Sequence, residues 1–150
     1  MKKILLALLL LIPIWGLSSQ VLEPVQWDFT CEKTGDKTYR VYLTALMEPG
    51  WHIYSQYMEE GGPIPTAIVF KENPVITSKG KIKEVGDRQE VYEEVFMVQT
   101  NYYEGKVDFV REVQIKKGEP VTLKGTVTYM ACSGDLCLPP EEVAFEIVLR

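Results

Sequence analysis

After its first nineteen residues the chain alternates apolar and polar positions with a period of two. Val25, Trp27, Phe29 and Cys31 share one parity, and Gln26, Asp28 and Thr30 the other. This is the pattern of a strand with one buried face. Tyr39 to Leu46 alternates in the same way and ends at a Pro49-Gly50 turn. From Val121, residues Val121, Leu123, Val127 and Tyr129 fall on one face, with Thr122, Lys124, Thr126, Thr128 and Met130 on the other. Val143, Phe145, Ile147 and Leu149 alternate strictly. Shorter strands are predicted over Trp51 to Tyr54, Thr66 to Phe70, Lys81 to Val85, Val95 to Thr100 and Lys106 to Ile115. Gly61, Gly62, Pro63 and Pro65 punctuate the first half, and Lys117-Gly118-Glu119-Pro120 makes a turn in the second. No segment past the start carries a 3.6-residue apolar repeat, and no internal repeat or linker interrupts the series. Many short strands with turns at this spacing predict an all-β domain, an antiparallel β-sandwich.

The start of the chain reads differently. Lys2 and Lys3 precede an unbroken apolar run from Ile4 to Leu11, followed by Pro13, Gly16 and the small residues Ser18 and Ser19. Charged, apolar, then small is the order of a secretory signal. The expectation is a cleaved signal peptide over 1–19 and one domain over 20–150. Ile4 to Leu17 is 14 residues, short of the roughly 20 that a membrane-spanning helix needs. No cysteine follows it to take a lipid anchor. The exported protein is therefore expected in the periplasm, with no membrane insertion after cleavage.

Composition narrows the partners. With 150 residues, 46% of them hydrophobic, the chain can bury one core. Sixteen basic against twenty-one acidic side chains, a net charge of −5, argues against nucleic acid as a partner. Export matters most for the three cysteines, Cys31, Cys132 and Cys137, because an oxidising compartment favours disulfides. Cys31 lies on the apolar parity of its strand and is expected in the core as a free thiol. Extending the parity of the Val121 strand puts Cys132 on the exposed face. Cys137 follows a Ser-Gly-Asp-Leu turn, and Pro139-Pro140 then prevents regular continuation. Cys132 and Cys137 thus stand at the ends of one short loop and are the expected pair. A bridge across so short a loop contributes only about 2 kcal/mol through chain entropy, and an exposed one is open to an attacking thiolate. Asp135, Glu141 and Glu142 are nearby, with no Lys or Arg between Met130 and Leu149. That negative setting disfavours a thiolate, so a strongly activated nucleophile is not expected.

The segment Val127-Thr128-Tyr129-Met130-Ala131-Cys132, a four-residue gap, and Cys137-Leu138-Pro139-Pro140-Glu141 resembles the active-site segment of one family. This is the amino-terminal periplasmic domain of the thiol:disulfide interchange protein DsbD. Glu48-Pro49-Gly50-Trp51-His52-Ile53-Tyr54 is similar to the family's turn and aromatic strand. Gln89 to Phe96, with Tyr102-Tyr103-Glu104-Gly105 after it, falls where the family carries an active-site cap and a following hairpin. The resemblance implies an immunoglobulin-like sandwich whose cysteine pair, here Cys132 and Cys137, cycles between dithiol and disulfide without a cofactor. It implies a monomeric oxidoreductase module that passes electrons to periplasmic thioredoxin-fold proteins, among them disulfide isomerases and reductants of cytochrome c maturation. Another thioredoxin-like domain, fed through a membrane domain, re-reduces it. The resemblance further implies an aromatic cap over the disulfide, Tyr92 or Phe96, an acidic residue beside it, Glu90, and a tyrosine facing the pair, Tyr54. The cysteine gap is one residue shorter than in the best-known members. The 150 residues hold neither the membrane domain nor the thioredoxin-like domain, which implies a separate reductant or a lost family function.

Competing readings are weaker. His52, the only histidine, could complete a Cys₃His zinc site, but Cys31 reads as core and the compartment favours disulfides, so no metal is expected. A Cys-His catalytic pair would need His52 beside one cysteine of the pair. His52 reads instead as a strand-surface residue among aromatics. Trp51, Tyr54 and Tyr57 could stack on carbohydrate, though alternating aromatics more often pack a sheet. Asn101-Tyr102-Tyr103 lacks the hydroxyl residue of a glycosylation site, and no phosphate loop or serine triad is present. The main alternative is a non-enzymatic immunoglobulin-like interaction domain with a structural disulfide.

Overall fold

The computed structural model describes residues 22–94, 97–118, 120–134 and 136–150. The expected signal peptide lies outside the described residues. The rest forms an antiparallel sandwich of two sheets. Strands β1 (Val25–Lys33), β2 (Thr38–Met47), β3 (His52–Tyr54), β5 (Ile76–Glu93), β6 (Val98–Ile115), β8 (Ala131–Ser133) and β9 (Leu136–Cys137) make the larger sheet. The smaller sheet holds β4 (Ala67–Phe70), β7 (Val121–Tyr129) and β10 (Glu141–Leu149), in the order β10-β7-β4.

The period-two pattern explains the core directly. Val41, Leu43 and Ala45 of β2, Val107, Phe109 and Val113 of β6, and Leu123 and Val127 of β7 turn inward from alternate positions. Trp27 and Phe29 of β1 reach across the gap, Phe29 stacking on Phe145 at 5.2 Å and Trp27 tilted over Tyr129 at 5.4 Å. Gly125 is required by this packing. The Phe145 ring and the Val69 carbonyl occupy the space a Cβ would need.

Strand length is where pattern and fold part. Two strands are expected, over Val95 to Thr100 and Lys106 to Ile115; Val98–Thr100 of the first and all of the second belong to one 18-residue strand, Val98–Ile115. Gly105, at φ 67°, lets β6 bend without ending. Lys81 to Val85 is likewise a fragment of the 18-residue β5, which follows β6 through two register shifts. β6 is therefore flanked by β5 on one edge. Its other edge is shared by β2, paired with Lys106–Gln114, and β3, paired with Tyr102–Glu104. That shared edge carries the cysteine pair outward, because β8 joins β3 and β9 joins β8.

Candidate active site

Met130 decides the position of the first cysteine. β7 ends at Tyr129, Met130 leaves strand geometry, and β8 resumes in the other sheet. Alternation restarts at this crossing. Cys132, expected on the exposed face, is fully buried, with 0% of its surface accessible. Parity could not carry across a change of sheet, since it holds only along one continuous strand.

The cysteines are also paired more tightly than two ends of a loop. Gly134, at φ 54°, helps turn the chain, and Cys137 comes back directly opposite Cys132, with Cα atoms 4.1 Å apart. The two sulfurs are bonded at 2.06 Å. The Leu138 N–H donates to the Ala131 carbonyl at 2.9 Å and closes the small hairpin. Pro139 has no N–H with which to extend it. β9 is the last strand on this side of the sheet, and Cys137 is exposed. One bridge thus joins a sealed residue to an open one.

β3 lies beside this hairpin, paired with β8. Register places His52 between Cys132 on β8 and Glu104 on β6, with Tyr54 opposite Tyr102 one step along the same face. The His52 ring sits 4.6 Å from Tyr102 and edge-on to Tyr54 at 5.2 Å. Its Nε2 is 3.3 Å from the Tyr54 hydroxyl. Tyr54 is 4% exposed, so its aromatic ring packs the sheet rather than offering a platform to sugars. Burial, with smaller contributions from Glu93 and Tyr102, raises the Tyr54 phenol pKa. Burial lowers the His52 pKa below 6.5, while Glu104 and Glu93 pull it back up. The unfolded chain then binds this proton more readily than the folded one, so stability rises with pH up to that value and falls below it. Between about pH 7.5 and about pH 5, urea titrations should show the wild type losing more unfolding free energy than His52→Gln. Equal losses would remove His52 from the account.

Beyond Glu104, β5 and β6 continue as a hairpin, paired from Gln89↔Tyr102 to Glu93↔Val98. Alternation sets Gln89, Val91 and Glu93 on the face that carries Tyr102 and Cys132. Glu90 and Tyr92 take the opposite face. Glu90 is paired there with Arg88 at 2.5 Å, both exposed, and Tyr92 is 57% exposed. The structure thus brings Tyr54 to the cysteine face and leaves Glu90 and Tyr92 behind it. Phe96 and Asp135 lie outside the described residues.

Three neighbours carry no mark in the sequence. Glu93, on the inner face of the hairpin, is the acid that acts on both His52 and Tyr54. Met97 is the one described non-glycine residue with positive φ, at 56°, its N–H bonded to the Glu93 carbonyl at 2.7 Å and its side chain 75% exposed. Glu84 accepts hydrogen bonds from Ser55 Oγ at 2.6 Å, the Gln56 N–H at 2.8 Å and Tyr103 Oη at 2.8 Å. It ties the β3–β4 loop to β5 and β6 below the hairpin. Burial and that bond raise the Tyr103 pKa. The roles of Glu93 and Glu84 depend on contacts remote in sequence, and that of Met97 on a local turn.

Residues 18–149 match the family described as thiol:disulfide interchange protein DsbD, N-terminal. The chain belongs to this DsbD N-terminal domain family. Its sandwich is immunoglobulin-like, as in that family. It superposes on the N-terminal periplasmic domain of ScsB from Proteus mirabilis with a TM-score of 0.60 at 19% identity, covering 83% of this chain and 46% of that one. The chain thus spans about half the length of that relative. The reduced Neisseria meningitidis DsbD N-terminal domain gives 0.51 at 21% identity, over 80% and 84% of the two chains. The same organism's complex between the DsbD and PilB N-terminal domains gives 0.52 at 17%, over 85% and 87%. At these identities the likeness is one of fold. No curated protein sequence matches the chain.

In this DsbD-type domain the third cysteine stands apart. Cys31 is half-buried on β1, opposite Val41, its Sγ 3.5 Å from the Val148 carbonyl. Burial raises its thiol pKa, with Arg150 opposing. It is not brought to His52 or the pair. Among the described residues no three metal-ligating side chains gather, and no helix is long and apolar enough to cross a membrane.

Proposed function

We propose that the protein is an exported thiol:disulfide exchange module whose Cys132–Cys137 pair cycles between disulfide and dithiol. The observation that carries this reading is the asymmetry of the pair: an exposed Cys137 on an edge strand bridged to a fully buried Cys132. In the reducing direction, the Cys137 thiolate attacks a partner disulfide. A mixed disulfide forms and one partner thiolate leaves. Cys132, as thiolate, then attacks the Cys137 sulfur and releases the second partner thiol. Two electrons pass to the partner and the protein ends as the disulfide. The partners we propose are periplasmic thioredoxin-fold proteins, as both donor and acceptor. The module acts as a monomer in the periplasm after cleavage of a signal peptide over 1–19, and 20–150 is its one domain. Tyr54, with His52, supports the pair from the neighbouring strand β3. The β5–β6 hairpin that carries Glu90 and Tyr92 is the cap beside it, with Phe96 as a further candidate for the capping aromatic.

The reduction potential tests the reading. Thiol trapping across a redox buffer series should give a value between about −180 and −270 mV, the range of exchangeable dithiols. A value below about −300 mV belongs to structural bonds that resist reduction, and would favour an interaction domain with a stapled loop.

A further inference from the structure

Acidic side chains crowd one end of this molecule. The segments that build the cysteine end, 47–66, 89–105 and 130–143, contain ten of them. Two basic residues stand at the borders of these segments: Arg88, paired with Glu90, and Lys106, paired with Asp108. At the other end stand Lys33 and Lys37 of the β1–β2 turn, Lys79 and Lys81 of β5, and Lys116 and Lys117 beyond β6. Antiparallel register enforces the separation, since β2, β6, β7 and β10 each run from one end to the other. The acidity reaches the site itself, for Glu93 and Glu104 both act on His52.

The same end exposes apolar side chains. Met97, 75% exposed, stands at the end of the β5–β6 hairpin, and Leu136, 54% exposed, precedes Cys137. The loop between β3 and β4 adds Ile64, 44% exposed. Met97 is also held in the left-handed region, a conformation that costs free energy for a side chain of its kind. Exposed apolar groups around an accessible sulfur, rimmed by acids, describe a docking face.

We propose that this face receives a protein whose reactive cysteine lies on an apolar surface rimmed by Lys and Arg. Charge complementarity selects that occupant. A second copy of the chain would bring like charges together, and an anionic membrane would be repelled. The inference rests on the exchange reading and adds to it the chemistry of the partner. Attraction over this face would speed encounter and weaken with salt.

The test uses three disulfide probes against the reduced protein. Two are peptides with a central Cys, disulfide-bonded to thionitrobenzoate and flanked by Val and Leu. One ends in three lysines and the other in three glutamates. The third probe is uncharged hydroxyethyl disulfide. At low ionic strength, about 10 mM, the Lys peptide should react at least ~10-fold faster than the Glu peptide. In about 0.5 M NaCl the two rates should converge to within about two-fold. The combined Glu93→Gln, Glu94→Gln and Glu142→Gln variant should shrink the low-salt ratio, whereas Lys79→Gln with Lys81→Gln should leave it as in the wild type. Equal peptide rates at low salt, or a ratio that salt does not reduce, would overturn the docking face while leaving exchange intact. Failure of hydroxyethyl disulfide to oxidise the Cys132–Cys137 dithiol would remove both readings.

Discussion

Cys137→Ala should lose exchange almost entirely, whereas Cys132→Ala should stop halfway, as a trapped mixed disulfide. The difference follows from burial. Cys132 has no accessible surface and is held between β3 and β9, so an incoming sulfur reaches it only after the hairpin opens. A local opening of about 3–4 kcal/mol would slow attack by ~10²–10³-fold, at 1.36 kcal/mol per factor of ten. Cys137 needs no such opening, but without Cys132 its mixed disulfide has no resolving thiol. Mass spectrometry of each variant after reaction with a small disulfide separates the two cases. A Cys137→Ala protein as reactive as the wild type would refute the assignment of the open sulfur. Cys31 is the third thiol in both variants, so the comparison is cleanest on a Cys31→Ser background.

The largest loss of stability should come from Phe109→Ala. Phe109 is fully buried on β6, opposite Leu43 of β2 and stacked on Trp27 at 5.8 Å. Truncating such a ring removes its transfer free energy and leaves a cavity that two packed sheets cannot close, a cost of about 3–5 kcal/mol. Domains of this size hold only about 5–15 kcal/mol in total, so the melting temperature should fall by ~10–20 °C. Thermal unfolding followed by circular dichroism measures this. A loss below about 1 kcal/mol would mean the two sheets do not pack through Phe109. The distinction matters for function, because β6 is also the strand on which β3, and through it the cysteine hairpin, is built.

Much of the sandwich could be read from side-chain alternation. Val41, Leu43 and Ala45, or Phe145, Ile147 and Leu149, announce an inward face because every second residue of a strand shares it. The expected pair Cys132–Cys137 is the pair that forms, and Cys31 packs on the core as a half-buried free thiol. Alternation loses its meaning where a strand changes its partner or its course. Alternation alone does not join Val98–Thr100 to Lys106–Ile115, because Gly105, at positive φ, lets β6 bend within one strand. Parity points Cys132 outward because nothing in Met130 signals the crossing between sheets that buries it.

The sequence by itself determined the strand pattern, the cysteine spacing with its closing prolines, and the acidity around them. All three are local: each depends on residues within a few positions of one another. Only the tertiary structure decided which sulfur is open, which face the hairpin residues take, that Glu93 acts on His52 beside the site, and that Glu84 braces the β3–β4 loop. Those outcomes depend on β3, β5, β6 and β8 lying side by side. Hydrogen-bonded register between segments tens of residues apart brings them there, and no local pattern encodes that register.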